Sequence, residues 1–281
     1  MTDRSGPDPA AAQWGATEVS EVVPDSIRYR GYAVQDLIGR ASFVETAWLL
    51  LRGDLPTPAQ GRLLEAALVA GMDHGPQAPS IAAARMAATC GVGLNSAVAT
   101  GVNLLGDVHG GAGQQCMQLL EGVRARVAGG ADMGDVVDEV LADVRARKAF
   151  VPGFGHRFQR RDPRRDPLLD QLAAAATDGV VPGDHLAVVL ELERRLAGRS
   201  GTPVPVNVDG LTAAVYCELG FAPELGRGLF VLSRSVGVLA HAWEETQGGA
   251  RIKGPLPPTY TAPYRGHPAR DLPPDRPGGT P

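Results

Sequence analysis

Along most of this chain the apolar positions recur every three or four residues, the spacing that lines up one face of an α-helix. Val136, Val137, Val140, Leu141 and Val144 make such a stripe inside a helix predicted from Met133 to Lys148. Ser42-Phe43-Val44-Glu45 has the form of a capping box ahead of the apolar run Ala47 to Leu51, and Gly53 supplies a stop. Thr57-Pro58 opens the next helix with proline at its first position, followed by Leu63, Leu64, Ala67 and Leu68. Further helices are predicted over Ser80 to Cys90, Leu94 to Leu105, Gly111 to Val127, Leu168 to Ala176, His185 to Leu196, Leu211 to Leu219 and Ala222 to Trp243. Strand-like segments are short, chiefly Glu21 to Tyr32, and no internal repeat is visible. The predicted fold class is all-α. Residues 1–15 and 265–281 lack this periodicity and are expected to be a disordered lead-in and tail.

Composition narrows the class. With 281 residues, 44% apolar and 21% charged, the chain can bury a sizeable core. A net charge of −4 offers no footprint for nucleic acid or an anionic membrane surface. No apolar run reaches the roughly 18 residues of a membrane span, and the N-terminus has no signal-peptide pattern, so a cytoplasmic enzyme is expected. Cys90, Cys116 and Cys217 are widely spaced, which argues against a zinc site or a disulfide framework; each is expected to act as a small buried apolar residue. Lys148 and Lys253 are the two lysines among 27 cations. Arginine suits forked recognition of carboxylate and phosphate, although genome composition explains such a bias equally well.

The candidate chemistry lies in glycine clusters at predicted helix boundaries. Val108-His109-Gly110-Gly111-Ala112-Gly113, Gly153-Phe154-Gly155-His156-Arg157 and Val206-Asn207-Val208-Asp209-Gly210 each put a titratable side chain where the backbone is free to turn. Two imidazoles and a carboxylate form a working set for proton transfer near neutral pH, so His109, His156 and Asp209 are the candidate acid–base site. The other histidines have plainer readings: His185 beside a helix start, His241 as a packing or surface residue, His267 in the tail. Arg157, Arg160, Arg161, Arg164 and Arg165 taken alone read as a solvated basic loop, whereas Arg234 sits in an apolar helix, where an unpaired charge is costly.

Six segments in order resemble the citrate synthase superfamily. They are Ser26 to Tyr32, Asp73-His74-Gly75, Val108 to Ala112, Gly153 to Arg157 with Asp162-Pro163-Arg164, Asn207 to Gly210, and Leu232-Ser233-Arg234. The resemblance implies that His109 hydrogen-bonds the thioester oxygen of an acyl-CoA, that Asp209 moves the proton on the adjacent carbon, and that His156 serves the oxygen of a 2-oxo acid. It implies that His74, Arg164, Arg234 and Arg251 clamp substrate carboxylates, Arg251 in the neighbouring subunit's site. Val151, Gly153, Phe154 and Gly155 are implied to wrap CoA, with Arg160 as a phosphate contact. The implied architecture is a large helical domain (16–110 and 219–264) and a small CoA-binding domain (111–218), with the active site in the cleft. The implied assembly is a homodimer, packed through the small residues around Ala83 to Leu105. CoA enters as a thioester substrate, no cofactor is bound permanently, and no metal is called for because His109 and the arginines supply the polarisation.

The chain departs from full-length synthases by having only Thr57 to Met72 where they carry a long helical stretch, and by glycine after Asp209. Both features resemble the short citryl-CoA lyase branch, including the last module of ATP-citrate lyase. Cleavage of citryl-CoA to acetyl-CoA and oxaloacetate is therefore the expected reaction. Condensation by a citrate synthase or 2-methylcitrate-type relative stays open, as does a non-catalytic CoA-binding subunit. Asp107 is a further departure, and the sequence assigns it no role.

Overall fold

The computed structural model describes residues 13–155, 162–200, 204–257 and 259–272. His156 and Arg160 lie outside them, as do most of the predicted lead-in and tail. The fold is helical, preceded by a small antiparallel meander of β1 (Ser20–Val23), β2 (Ser26–Tyr29) and β3 (Tyr32–Ala33), in the order β1-β2-β3. Eleven α-helices follow among the described residues: α1 (Val34–Leu37), α2 (Phe43–Arg52), α3 (Pro58–Gly71), α4 (Pro79–Thr89), α5 (Leu94–Val102), α6 (Ala112–Ala128), α7 (Met133–Ala146), α8 (Arg165–Thr177), α9 (Asp184–Ser200), α10 (Val208–Glu218) and α11 (Gly226–Gln247). No described helix is long and apolar enough to cross a membrane.

Local chemistry sets most of these boundaries. The capping box at Ser42 and Glu45 is formed, and Thr57 with Gln60 makes a second one at the start of α3. α10 begins three residues earlier than its apolar pattern suggested, because the Asn207 side chain accepts the amides of Asp209 and Gly210 and so opens the helix at Val208. The helix expected from Ala222 is divided into a short 3₁₀ turn (Pro223–Leu225) and α11. Cys116 and Cys217 are buried as expected, whereas Cys90 is exposed. Its place at the end of α4, where the chain leaves the helix, turns it to the surface.

The core is built around α10. Every residue of that helix is buried except Asp209, so the helix is packed all round rather than along one stripe. Leu64 of α3, Leu120 of α6, Leu172 of α8, Leu192 of α9 and Leu211 of α10 are fully buried in one continuous cluster. Residues on both sides of the boundaries expected near 110 and 218 contribute to it. A smaller cluster joins Ile81 and Ala84 of α4, Ala97 of α5, and Val238 and Ala242 of α11. At the far end of α10 the buried Glu218 carboxylate accepts the amides of Gly183, His185 and Leu186 at 2.8, 2.8 and 3.0 Å. It thereby satisfies donors that the first turn of α9 leaves without helical partners.

Leu192 has no exposed surface, so truncation leaves a void as well as losing apolar burial. Leu192→Ala is expected to cost about 2–5 kcal/mol of unfolding free energy, read from the shift in urea midpoint. An unchanged midpoint would mean that the α9 contact with the core is not made.

Candidate active site

Three helix N-termini converge on the site. Ser80 is the second residue of α4, and its backbone N–H, which has no acceptor within the helix, donates to Nε2 of His109 at 3.2 Å. The buried Ser80 hydroxyl lies 3.0 Å from the same nitrogen. With Nε2 accepting, the ring proton of neutral His109 sits on Nδ1, the edge away from α4. Burial pushes the His109 pKa down, and the charges of Arg234 and His74 push it further in the same direction. The imidazole is therefore a neutral donor near pH 7.

Asp209 is the second residue of α10. Loss of water raises its pKa; the guanidiniums of Arg164 and Arg234 pull against this, Asp162 adds to it, and His74 opposes it. Arg234 and His74 thus bear on the charge of both Asp209 and His109, and Arg164 and Arg234 are anchored on the Ala70 and Gly71 carbonyls, at the end of α3 that leads to His74. The first turn of α6, which follows the His109 loop, also meets α10, since a side chain at Gly113 would lie 3.8 Å from the Asp209 carbonyl.

Arg164 precedes α8 and is held by Asp162, which is 2% exposed. Arg164 Nε and Nη2 donate to the two Asp162 oxygens at 3.0 and 2.9 Å, and Nη1 donates to the Ala70 carbonyl at 3.1 Å. Among the described residues, two of its five N–H groups remain for a ligand. Asp162 also accepts the amide of Val208 at 3.3 Å, tying the start of α8 to the start of α10. Its own pKa is lowered: burial works against the carboxylate, but the bonds from Arg164 and Val208 outweigh it. Arg234, 5% exposed, donates from Nε to the Gly71 carbonyl at 2.9 Å and lies 4.7 Å over the Phe230 ring. Burial lowers its pKa, while Asp209 and Asp73 favour its charged form.

The segment Val151 to Gly155 packs against the approach to α10. Phe154 bridges to Val206, Gly155 N donates to Pro205 O at 2.8 Å, and Asn207 N donates to Gly153 O at 2.9 Å. Gly153 and Gly210 are what allow this approach. A Cβ on Gly210 would sit 2.4 Å from the Gly153 carbonyl oxygen, and one on Gly153 would sit 2.6 Å from the Gly210 Cα. The Phe154 side chain is buried in the core cluster.

His109, Asp209, His74, Arg164 and Arg234 are therefore brought together, and Val151 to Gly155 lie beside Asp209. Arg251 is exposed in the chain after α11. Ser80 and Asp162 were missed as site residues, because their roles are bonds to distant elements that no local pattern announces. The Asp107 carboxylate pairs with Arg227 at the start of α11, and its carbonyl accepts from Gln115 of α6 at 3.1 Å, tying the residue two before His109 to both helices.

Comparison with known proteins identifies the family. The model of the citrate synthase C-terminal domain matches residues 10–62 and 57–255, so the chain belongs to the citrate synthase family. It is 34% identical to a citryl-CoA lyase from Hydrogenobacter thermophilus, with a TM-score of 0.81 over 92% of this chain and 97% of that one. Citrate synthase 1 of Mycobacterium tuberculosis (strain ATCC 25618 / H37Rv) is 32% identical over 210 residues, covering 70% of this chain and 46% of that protein. Citrate synthase from Acidithiobacillus ferridurans is 28% identical over 226 residues, covering 78% and 54% respectively. The chain thus spans about half the length of the curated relatives it matches.

The neutral His109 predicts a definite spectrum and a stability trend. Nitrogen NMR of the histidine rings should show its proton on Nδ1 and protonation at lower pH than an ordinary histidine. Because its folded pKa lies below the unfolded value, acid favours the unfolded chain at this residue. The stability it contributes is complete above the ordinary histidine range and is lost as pH falls, and His109→Asn should remove that part of the acid sensitivity. A charged His109 ring at pH 7 would overturn the assignment.

Proposed function

We propose that the chain is a citryl-CoA lyase, cleaving citryl-CoA to acetyl-CoA and oxaloacetate. The observation that carries this reading is His109 fixed at Nε2 by the Ser80 amide, with its pKa pushed down, and a buried Asp209 with its pKa pushed up, both acted on by the Arg234 charge. The near-complete mutual coverage with a citryl-CoA lyase favours cleavage over synthesis. Condensation of acetyl-CoA with oxaloacetate is the second reading, because the curated relatives are citrate synthases.

In cleavage, His156 takes the proton from the tertiary hydroxyl as the C–C bond breaks. The hydroxyl-bearing carbon becomes the carbonyl of oxaloacetate, and the bonding pair passes into the enolate of acetyl-CoA. His109 donates from Nδ1 to the enolate oxygen, where negative charge grows in the transition state. Asp209, kept protonated more readily by its burial, delivers its proton to the enolate carbon. His74, Arg164 and Arg234 hold the carboxylates, and Arg251 completes the neighbouring subunit's site in a homodimer packed through the region of Ala83 to Leu105. Val151, Gly153, Phe154 and Gly155 hold CoA with Arg160 on a phosphate, and closure of 111–218 on 16–110 with 219–264 excludes water. The enzyme works in the cytoplasm and uses no permanently bound cofactor.

Supplied citryl-CoA should yield acetyl-CoA and oxaloacetate without net release of free thiol. Thiol release from acetyl-CoA and oxaloacetate would favour the synthase instead, and CoA binding with neither activity would reduce the chain to a binding subunit. Asp209→Asn should abolish proton exchange at the acetyl methyl group while leaving CoA binding nearly intact.

The two directions should respond oppositely to pH. Condensation needs the Asp209 carboxylate and weakens as pH falls through its raised pKa, whereas cleavage needs the acid and weakens as pH rises through it. Parallel limbs in the two initial-rate profiles would remove Asp209 from this role.

Gly210→Ala should lower turnover by about 100-fold, since the added methyl must displace the Gly153 carbonyl beside Asp209. Wild-type turnover in that variant would mean that the close approach is dispensable.

A further inference from the structure

One face of α11 grips three consecutive residues before His74. Arg234 Nε donates to the Gly71 carbonyl at 2.9 Å. Gly237, one turn on, leaves room for the next carbonyl, because a Cβ there would lie 2.3 Å from Met72 O and 3.0 Å from Asp73 Oδ1. His241, a further turn on, places Nε2 3.2 Å from Asp73 Oδ1. Positions 234, 237 and 241 share a helix face by their spacing, so α11 meets residues 71, 72 and 73 in register.

Asp73 is the hub of the turn that carries His74. Its Oδ2 accepts the Gly75 amide at 3.1 Å, and the His74 amide also bonds to it. Partial burial works against its charge, yet the bonds from Gly75, His241 and His74 hold its pKa below the ordinary carboxylate range. His241 is the side chain that anchors this hub to α11. The other ring nitrogen, Nδ1, is buried without a hydrogen bond and lies 3.8 Å from Glu244 Oε2, so the bond to Asp73 orients the ring.

We propose that His241 is a positioning residue: through Asp73 it fixes the turn that presents His74 to the substrate carboxylate. The proposal rests on the reading of His74 as a carboxylate ligand. It corrects the expectation that His241 is a packing or surface residue, since the half-buried ring makes a specific polar contact. Its sequence position gives no hint of this role, because the contact spans 168 residues between Asp73 and His241.

Two substitutions in the full chain separate positioning from packing. His241→Leu fills the space without a donor, and His241→Gln keeps an N–H for Asp73. His241→Leu should weaken oxaloacetate binding, measured by calorimetry, and raise the KM for citryl-CoA, each about tenfold, with kcat changed far less. His241→Gln should recover most of the loss. In a His74→Ala background, His241→Leu should cause no further loss, because the group it positions is already gone. Wild-type affinity in His241→Leu, no recovery with glutamine, or additive losses in the double variant would overturn the proposal. So would failure of His241→Gln to fold, since that variant keeps the proposed bond. If the wild-type chain processes neither citryl-CoA nor acetyl-CoA with oxaloacetate, the reaction assignment falls, and oxaloacetate binding in the same variants still decides the role of His241. A wild-type chain that does not bind oxaloacetate would overturn both.

Discussion

The site depends on helix ends being brought to one place. α4 supplies the Ser80 amide that sets the His109 ring, Arg164 immediately precedes α8, and Asp209 stands in the first turn of α10. Each of these ends carries N–H groups that the helix cannot satisfy and the positive end of the peptide dipole. Together with Arg164 and Arg234 they concentrate positive charge around Asp209. Burial, with the charges of Arg234 and His74 added to it, keeps His109 neutral.

Holding these ends together falls to a few buried polar groups and two glycines. Asp162 binds the guanidinium of Arg164 with both oxygens and also accepts an amide from the start of α10, so two active-site elements share one anchor. Removing that carboxylate would leave the half-buried Arg164 charge partly uncompensated, a loss beyond that of the bonds themselves. Gly153 and Gly210 do the complementary work by having no side chain, letting one backbone lie against another where any Cβ would collide. The glycine after Asp209, seen in the sequence as a departure from full-length synthases, thus has a steric cause.

The helices were largely legible from periodicity and caps. The errors fell at ends: α10 begins at Val208 because Asn207 caps it, and Cys90 is exposed because it sits where α4 stops. The site was legible in part. His109 and Asp209 stood out because glycine beside a titratable residue is a local signal. Ser80, Asp162 and His241 carry no such signal, since each acts through one bond to a residue that folding alone brings near.

What the chain by itself determined is the helical class, the helix termini written in capping residues, and the kinds of side chain available for proton transfer and carboxylate binding. These follow from interactions within about one helical turn, which depend on neighbouring residues only. What the tertiary structure alone decided is the protonation state of those side chains. Whether an imidazole is neutral, or a carboxyl group holds its proton, depends on lost water and on charges contributed by helices far apart in the chain, and these act only once the core around α10 has closed.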